Sequence, residues 1–154
     1  MQFYSTNHAS DSVSFRSALM KGMPNDKGLY MPEFIPDLSN IVSQNAFLSL
    51  QEISYLIASK FTSACFSNNQ LQNIIEDSIT FDAPNKFISD NTFCLELFHG
   101  PTLAFKDFGA RFMARCMESF MDSYDKELNI LVATSGDTGS AVANGFYDVK
   151  GINV

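Results

Sequence analysis

Basic residues are scarce in this chain: 10 Lys and Arg stand against 17 Asp and Glu, giving a net charge of −7 and a pI near 4.6. Such a field repels nucleic acid and anionic membrane surfaces, which argues against polyanion binding while leaving room for a local anion site. Cysteine is scarce too. Cys65, Cys94 and Cys116 are odd in number, far apart and without CxxC-like spacing, so they read as reduced thiols of a cytoplasmic protein. His8 and His99 are the two histidines; no metal site is supported, and no spacing points to a Ser-His-Asp triad. No apolar run approaches the about 18 residues of a membrane span. The opening MQFYSTNHASDS lacks both the basic and the apolar region of a secretion signal.

What is present is an ordinary apolar share, 45%, with 18% charged residues, enough to bury a core in 154 residues. SFRSALMKG predicts a short helix ending near Gly22, and MPNDKGLYMPEFIP supplies turn chemistry around a short strand at Leu29, Tyr30 and Met31. Two amphipathic helices follow. Leu48, Leu50, Ile53, Leu56 and Ile57 fall at helical spacing in the first, and Leu71, Ile74, Ile75 and Ile79 in the second; both stripes predict core packing.

Beyond Pro84 the pattern changes. TFCLELF is β-like, HGPTLAFKDFGARFMARCMESFM reads as a loop opening into a helix, and ELNILVAT as a strand buried on both faces of a parallel sheet. SGDTGSAVANGF is then a turn and helix, and residues 151–154 open another strand. Strand, helix, strand, helix, strand predicts a right-handed βαβ arrangement. Because the chain stops inside a parallel strand, it is expected to be the N-terminal portion of a longer protein.

Two stretches could carry chemistry. A strand followed by SGDTG and a helix aims backbone N–H groups and the Ser135 and Thr138 hydroxyls at whatever lies beyond the strand, an arrangement suited to a small anion. An ordinary turn capped by Asp137 or Thr138 is the plainer alternative. The pattern matches neither GxGxxG nor GxxxxGK[ST], which disfavours dinucleotides and Walker-type nucleotide sites. The second stretch is FHGPTLAFKDF. Lys106 falls at a helix start, where the dipole disfavours a cation, amid Leu103, Phe105 and Phe108. An amine that spends time uncharged can form a Schiff base with an aldehyde; a solvated lysine whose stem covers apolar surface is the alternative. Asp107 suits a helix cap or the orientation of a catalytic group, Arg111 an anion or solvent, and His99 the same cleft or a structural contact.

HGPTLAFKDFGARF together with LVATSGDTGSAVANGF closely resembles the threonine synthases, members of the tryptophan-synthase-β-like group of pyridoxal-phosphate enzymes. FRSALMKGMPNDKGLYMPEFIP is similar to the opening of that family, with three departures. Met23 stands for a leucine, Lys27 for the first glycine of a pair, and Ser5-Thr6-Asn7-His8 for an STRG-like segment.

The resemblance implies an α/β protein. A helical N-terminal domain over residues 1–90 would precede the first part, residues 91–154, of a parallel-sheet, three-layer αβα cofactor domain of PLP fold type II. It implies conversion of O-phospho-L-homoserine and water to L-threonine and phosphate with pyridoxal 5'-phosphate. Lys106 would be the residue that binds the cofactor covalently and moves protons. Thr134, Ser135, Gly136, Asp137, Thr138 and Gly139 would embrace the substrate carboxylate, with Asp137 also flanking the cofactor's ring hydroxyl. Groups for the cofactor's phosphate and pyridine nitrogen would come from later sequence, so the 154 residues alone are expected to bind it weakly and turn over little. The remainder of its own chain is the implied partner, with a homodimer as a candidate assembly. A related lyase on another phosphorylated amino acid and a non-catalytic anion-binding α/β module stay open as alternatives.

Overall fold

Along the first strand, β1 (Gln2–Ser5), Phe3 and Ser5 are buried and Gln2 is exposed, the period-two alternation of a strand with one covered face. The computed structural model describes residues 1–44, 47–62, 65–121 and 127–154 and divides into two units, Met1–Asn73 and Ile74–Val154. In the first unit β1 lies between β2 (Val13–Ser14) and β3 (Tyr30–Pro32), antiparallel to both, with Phe3 opposite Val13 and Pro32.

The helices begin and end where their caps dictate. In α1 (Phe15–Lys21) the Ser14 hydroxyl accepts from the Ser17 N–H at 3.2 Å. Gly22, at φ 69°, then returns its N–H to the Ala18 carbonyl. After α2 (Ser39–Gln44), both α3 (Leu50–Thr62) and α4 (Asn68–Ser78) open on reciprocal capping boxes. Ser49 N–H donates to Glu52 Oε2 (2.8 Å) while Glu52 N–H donates to Ser49 Oγ (3.2 Å); Ser67 and Gln70 repeat the exchange at 2.9 and 3.3 Å. Leu71, Ile74, Ile75 and Ile79 are all buried, as their spacing predicts. The stripe on α3 is not: its apolar residues are only half-buried and Ile53 is 36% exposed. Amphipathic spacing specifies a helix and a preferred face but not what covers that face.

A buried-hydroxyl and carboxylate knot holds the turn after α1. Asp26 accepts from Ser5 Oγ (2.6 Å), the Ala9 N–H (2.9 Å) and the Gly28 N–H (3.0 Å), and its own N–H donates to Ser10 Oγ. Gly28 is packed so tightly here that a Cβ would collide with Ser5 Oγ and the Asn7 backbone. Beside this knot stand His8 (φ 54°) and Lys27 (φ 62°), both left-handed. At both positions the resembling pattern has glycine where this chain does not, so each side chain sits on a backbone that glycine adopts without cost. His8 is partly compensated by stacking on Tyr4, with ring centroids 5.1 Å apart.

In the second unit β4 (Asn85–Ser89) and β5 (Thr92–Leu95) form an antiparallel hairpin. Then come α5 (Lys106–Met121), β6 (Leu128–Asn129), α6 (Asp137–Phe146) and β7 (Ile152–Asn153), with β6 parallel to β7 across the α6 crossover. The fold is mixed α/β, with three small sheets among the described residues. Two expectations are corrected. The β-like run at residues 92–98 pairs with β4 rather than joining a parallel sheet with β6, a pairing that the Asp90-Asn91 turn between two short β-like runs specifies locally. ELNILVAT is not buried on both faces: its strand is two residues long and Leu131 is 94% exposed. Apolar composition makes double burial favourable, but it requires neighbours on both edges and cover on both faces; among the described residues β6 pairs with β7 alone. The core instead lies where α5 and α6 meet, at Ala110, Ala114, Met117, Ala141 and Phe146, beside Val149 and Ile152.

Two outcomes test the first unit. The hydrogen bond from Ser5, reinforced by the Gly28 and Ala9 N–H groups, holds the Asp26 carboxyl below its usual 3.8. The folded state therefore binds this proton less readily than the unfolded chain, so the stabilisation is complete above the usual value and is lost as pH falls through the lowered one. Thermal melts of wild type and Asp26→Asn should differ most near neutral pH and converge in acid. Lys27→Gly removes the left-handed penalty, and denaturant unfolding should show a net gain of up to about 1 kcal/mol, reduced by the glycine's extra unfolded-state freedom.

Candidate functional site

Lys106 is the first residue of α5, as its sequence position predicts, and it is half-buried with Nζ 4.6 Å from the centre of the Phe105 ring. The chain reaches it through a compact loop. Gly100 O accepts from the Leu103 N–H (3.1 Å), Leu103 turns at φ 59°, and Ala104 O accepts from the Asp107 N–H (3.0 Å). Asp107 is fully buried. Its two oxygens accept from the Thr102 N–H (2.9 Å) and the Thr102 hydroxyl (2.6 Å).

The second stretch forms the entry to α6. Gly136, at φ 66° and ψ −131°, precedes the helix, and no side chain caps it. Space around a Cβ at Gly136 is open, so glycine is required here for its backbone angle rather than for room. Thr134 folds back over Gly139, where a Cβ would meet its methyl at 3.3 Å. Residues 134–137 are exposed and Thr138 and Gly139 half-buried. Asp137 lies in the first turn, where a carboxylate complements the dipole. This entry thus offers outward-facing backbone N–H groups and the hydroxyls of Ser135 and Thr138, the donor set an oxyanion needs.

The helices that these two stretches open pack on one another. Gly145 of α6 backs onto Ala110 of α5, and past the end of α6 the Lys150 N–H donates to Glu118 Oε1 and Gly151 lies against Met121. Lys106 begins α5, and residues 134–139 lead into α6.

Comparison with known proteins gives the family. Residues 2–79 match the family described as "Threonine synthase N terminus". The chain belongs to the threonine synthase N-terminus family. It is 42% identical to the threonine synthase of Haemophilus influenzae over 154 residues, covering all of this chain and 36% of that protein. Among solved structures, Escherichia coli threonine synthase superposes with a TM-score of 0.88 at 37% identity, covering 99% of this chain and 35% of that one. A structure described as PLP-bound threonine synthase from Brucella melitensis gives 0.93 at 30% identity, covering 99% and 34%. The chain thus spans a little over a third of the length of these relatives.

The remaining candidates have other partners. His99 Nε2 donates to Glu96 Oε2 at 2.8 Å and its ring stacks on Phe98. Arg111 turns to the end of α4: Nε donates to Ser78 O (2.9 Å), and one terminal nitrogen donates to Asp77 O (2.9 Å) and Thr80 Oγ1 (3.2 Å). A guanidinium on the last carbonyls of a helix satisfies orphan acceptors and complements the dipole. Thr102 escaped sequence reasoning; a hydroxyl residue shortly before an Asp in a first helical turn was the available signal. Among the described residues no group of three potential metal ligands comes together, and no helix is long and apolar enough to cross a membrane.

Arg111→Ala should lower the unfolding free energy by about 2 kcal/mol, since it leaves two helix-end carbonyls without their donor. Arg111→Lys, with a single-point charge in place of a fork, should recover less than half of that in denaturant titrations.

Proposed function

We propose that this chain supplies the lysine-bearing part of a threonine synthase acting on O-phospho-L-homoserine and water to give L-threonine and phosphate. The observation that carries the reading is a lysine at the start of α5 and an uncapped entry to α6, on two helices that pack together, in a chain 42% identical to a threonine synthase along its whole length. An amine and an anion-binding helix start are what an amino-acid substrate with a carboxylate requires.

The residues present fit pyridoxal 5'-phosphate. Lys106, half-buried as a residue, would bind the aldehyde covalently through its amine, and Asp137, in the first turn of α6, would be the partner for the ring hydroxyl. When bound, the cofactor supplies an electron sink that makes the substrate's α-proton acidic. Lys106 Nζ would take that proton and return protons along the carbon chain as phosphate leaves the γ-carbon and water adds at the β-carbon. Residues Thr134, Ser135, Gly136, Thr138 and Gly139 would hold the carboxylate through backbone N–H groups and hydroxyls, fixing which bond faces the lysine. In this reading the enzyme is a carbon–oxygen lyase of PLP fold type II with a three-layer αβα cofactor domain. Residues 1–90 form its N-terminal domain and residues 91–154 the first part of the cofactor domain. It works in the cytoplasm as a homodimer, with the groups for the cofactor's phosphate and pyridine nitrogen supplied by sequence further on.

In a family-length protein carrying this sequence, incubation with pyridoxal 5'-phosphate followed by borohydride should leave a stable adduct on Lys106 that Lys106→Ala abolishes; an adduct spread evenly over the lysines would overturn the assignment. In a family-length protein carrying this sequence, phosphate should be released from O-phosphohomoserine in preference to O-phosphothreonine; the reverse preference would favour a lyase on another phosphorylated amino acid.

A further inference from the structure

We propose that Asp107 is a positioning residue for Lys106, working through Thr102 and the backbone rather than by touching the amine; this rests on the assignment of Lys106 above. A fully buried carboxylate is costly unless its oxygens are satisfied. Here both are satisfied by one residue, Thr102, through its N–H and its hydroxyl. Asp107's own N–H is tied to Ala104 O. Residues 102–107 are therefore closed at both backbone and side chain into a ring, and Lys106 is the last link before the ring shuts.

The ring is also pressed from outside. Gly100 is buried, and a Cβ there would collide with Asp107 Oδ2 and crowd Asp107 Cβ and the Phe81 ring, each at 2.8 Å. Asp107 cannot swing away without dragging the loop, so the Cα of Lys106 and the first turn of α5 have one available placement. Lys106 Nζ itself lies over Phe105, on the exposed side. The carboxylate thus fixes where the lysine stem begins and leaves its head free to react.

Asp107→Ala removes both acceptors, and Thr102→Val removes the hydroxyl alone. Thr102→Ser retains both donors. The test uses a family-length protein carrying this sequence in two assays with peptide mapping by mass spectrometry. One is trace acetylation by acetic anhydride without cofactor; the other is borohydride trapping after pyridoxal 5'-phosphate. Lys106 labelling is read relative to the exposed Lys21, Lys60 and Lys86.

Asp107→Ala and Thr102→Val should change relative acetylation of Lys106 and cut its share of the trapped adduct by about tenfold, with the wild-type pattern restored in Thr102→Ser. Should Asp107→Ala fail to fold, Thr102→Val decides. Folded variants with wild-type labelling at Lys106 in both assays would overturn the proposal, as would a loss that Thr102→Ser does not reverse. If wild type itself shows no preference for Lys106 in the trapping assay, the functional assignment fails instead, and the acetylation series still judges the positioning role.

Discussion

The second unit depends on one contact: Gly145 of α6 lies on the backbone of Ala110 in α5, so close that a Cβ would sit 3.0 Å from the Ala110 carbonyl carbon. Ala114 and Ala141 are fully buried, which keeps the seam between the two helices narrow. Small residues at such a seam let helices approach until their axes, rather than their side chains, determine the spacing. The close packing that follows ties the helix that Lys106 begins to the helix that residues 134–139 lead into.

A second constraint ties α5 to the helix before it. Arg111, one turn into α5, reaches back 33 residues to the carbonyl of Ser78, and Phe81 packs against Phe108 with centroids 4.7 Å apart. The start of α5 is therefore held on one side by the guanidinium at the end of α4 and on the other by the loop that Asp107 closes. Such over-determination is what a reactive side chain needs, because a stem anchored at several points loses little further freedom when its head engages a ligand.

Much of this was legible in the sequence, and the legible parts share a cause. Ser14 and Gly22 bound α1, the isoleucines of α4 face inward, and Lys106 begins α5, because caps and periodicity act within a few residues of chain. The illegible parts are those whose partners lie elsewhere. Nothing near Arg111 announces Ser78; nothing in ELNILVAT says that Leu131 stays uncovered; and the stripe on α3 does not name what would cover it. Asp107 falls between: its partner is five residues away, near enough to suspect, yet the fork it makes with Thr102 depends on a left-handed turn at Leu103 that no local rule demands.

Gly100 shows what such closure means for the sequence's freedom to drift. An added methyl would strike a carboxylate on α5 and crowd the aromatic ring of Phe81 at once, two neighbours held in place by unrelated contacts. Relieving one leaves the other. No single exchange at position 100 can be accommodated by its surroundings, so a lineage could leave glycine there only through coordinated change at several places, a path that independent point mutations seldom find.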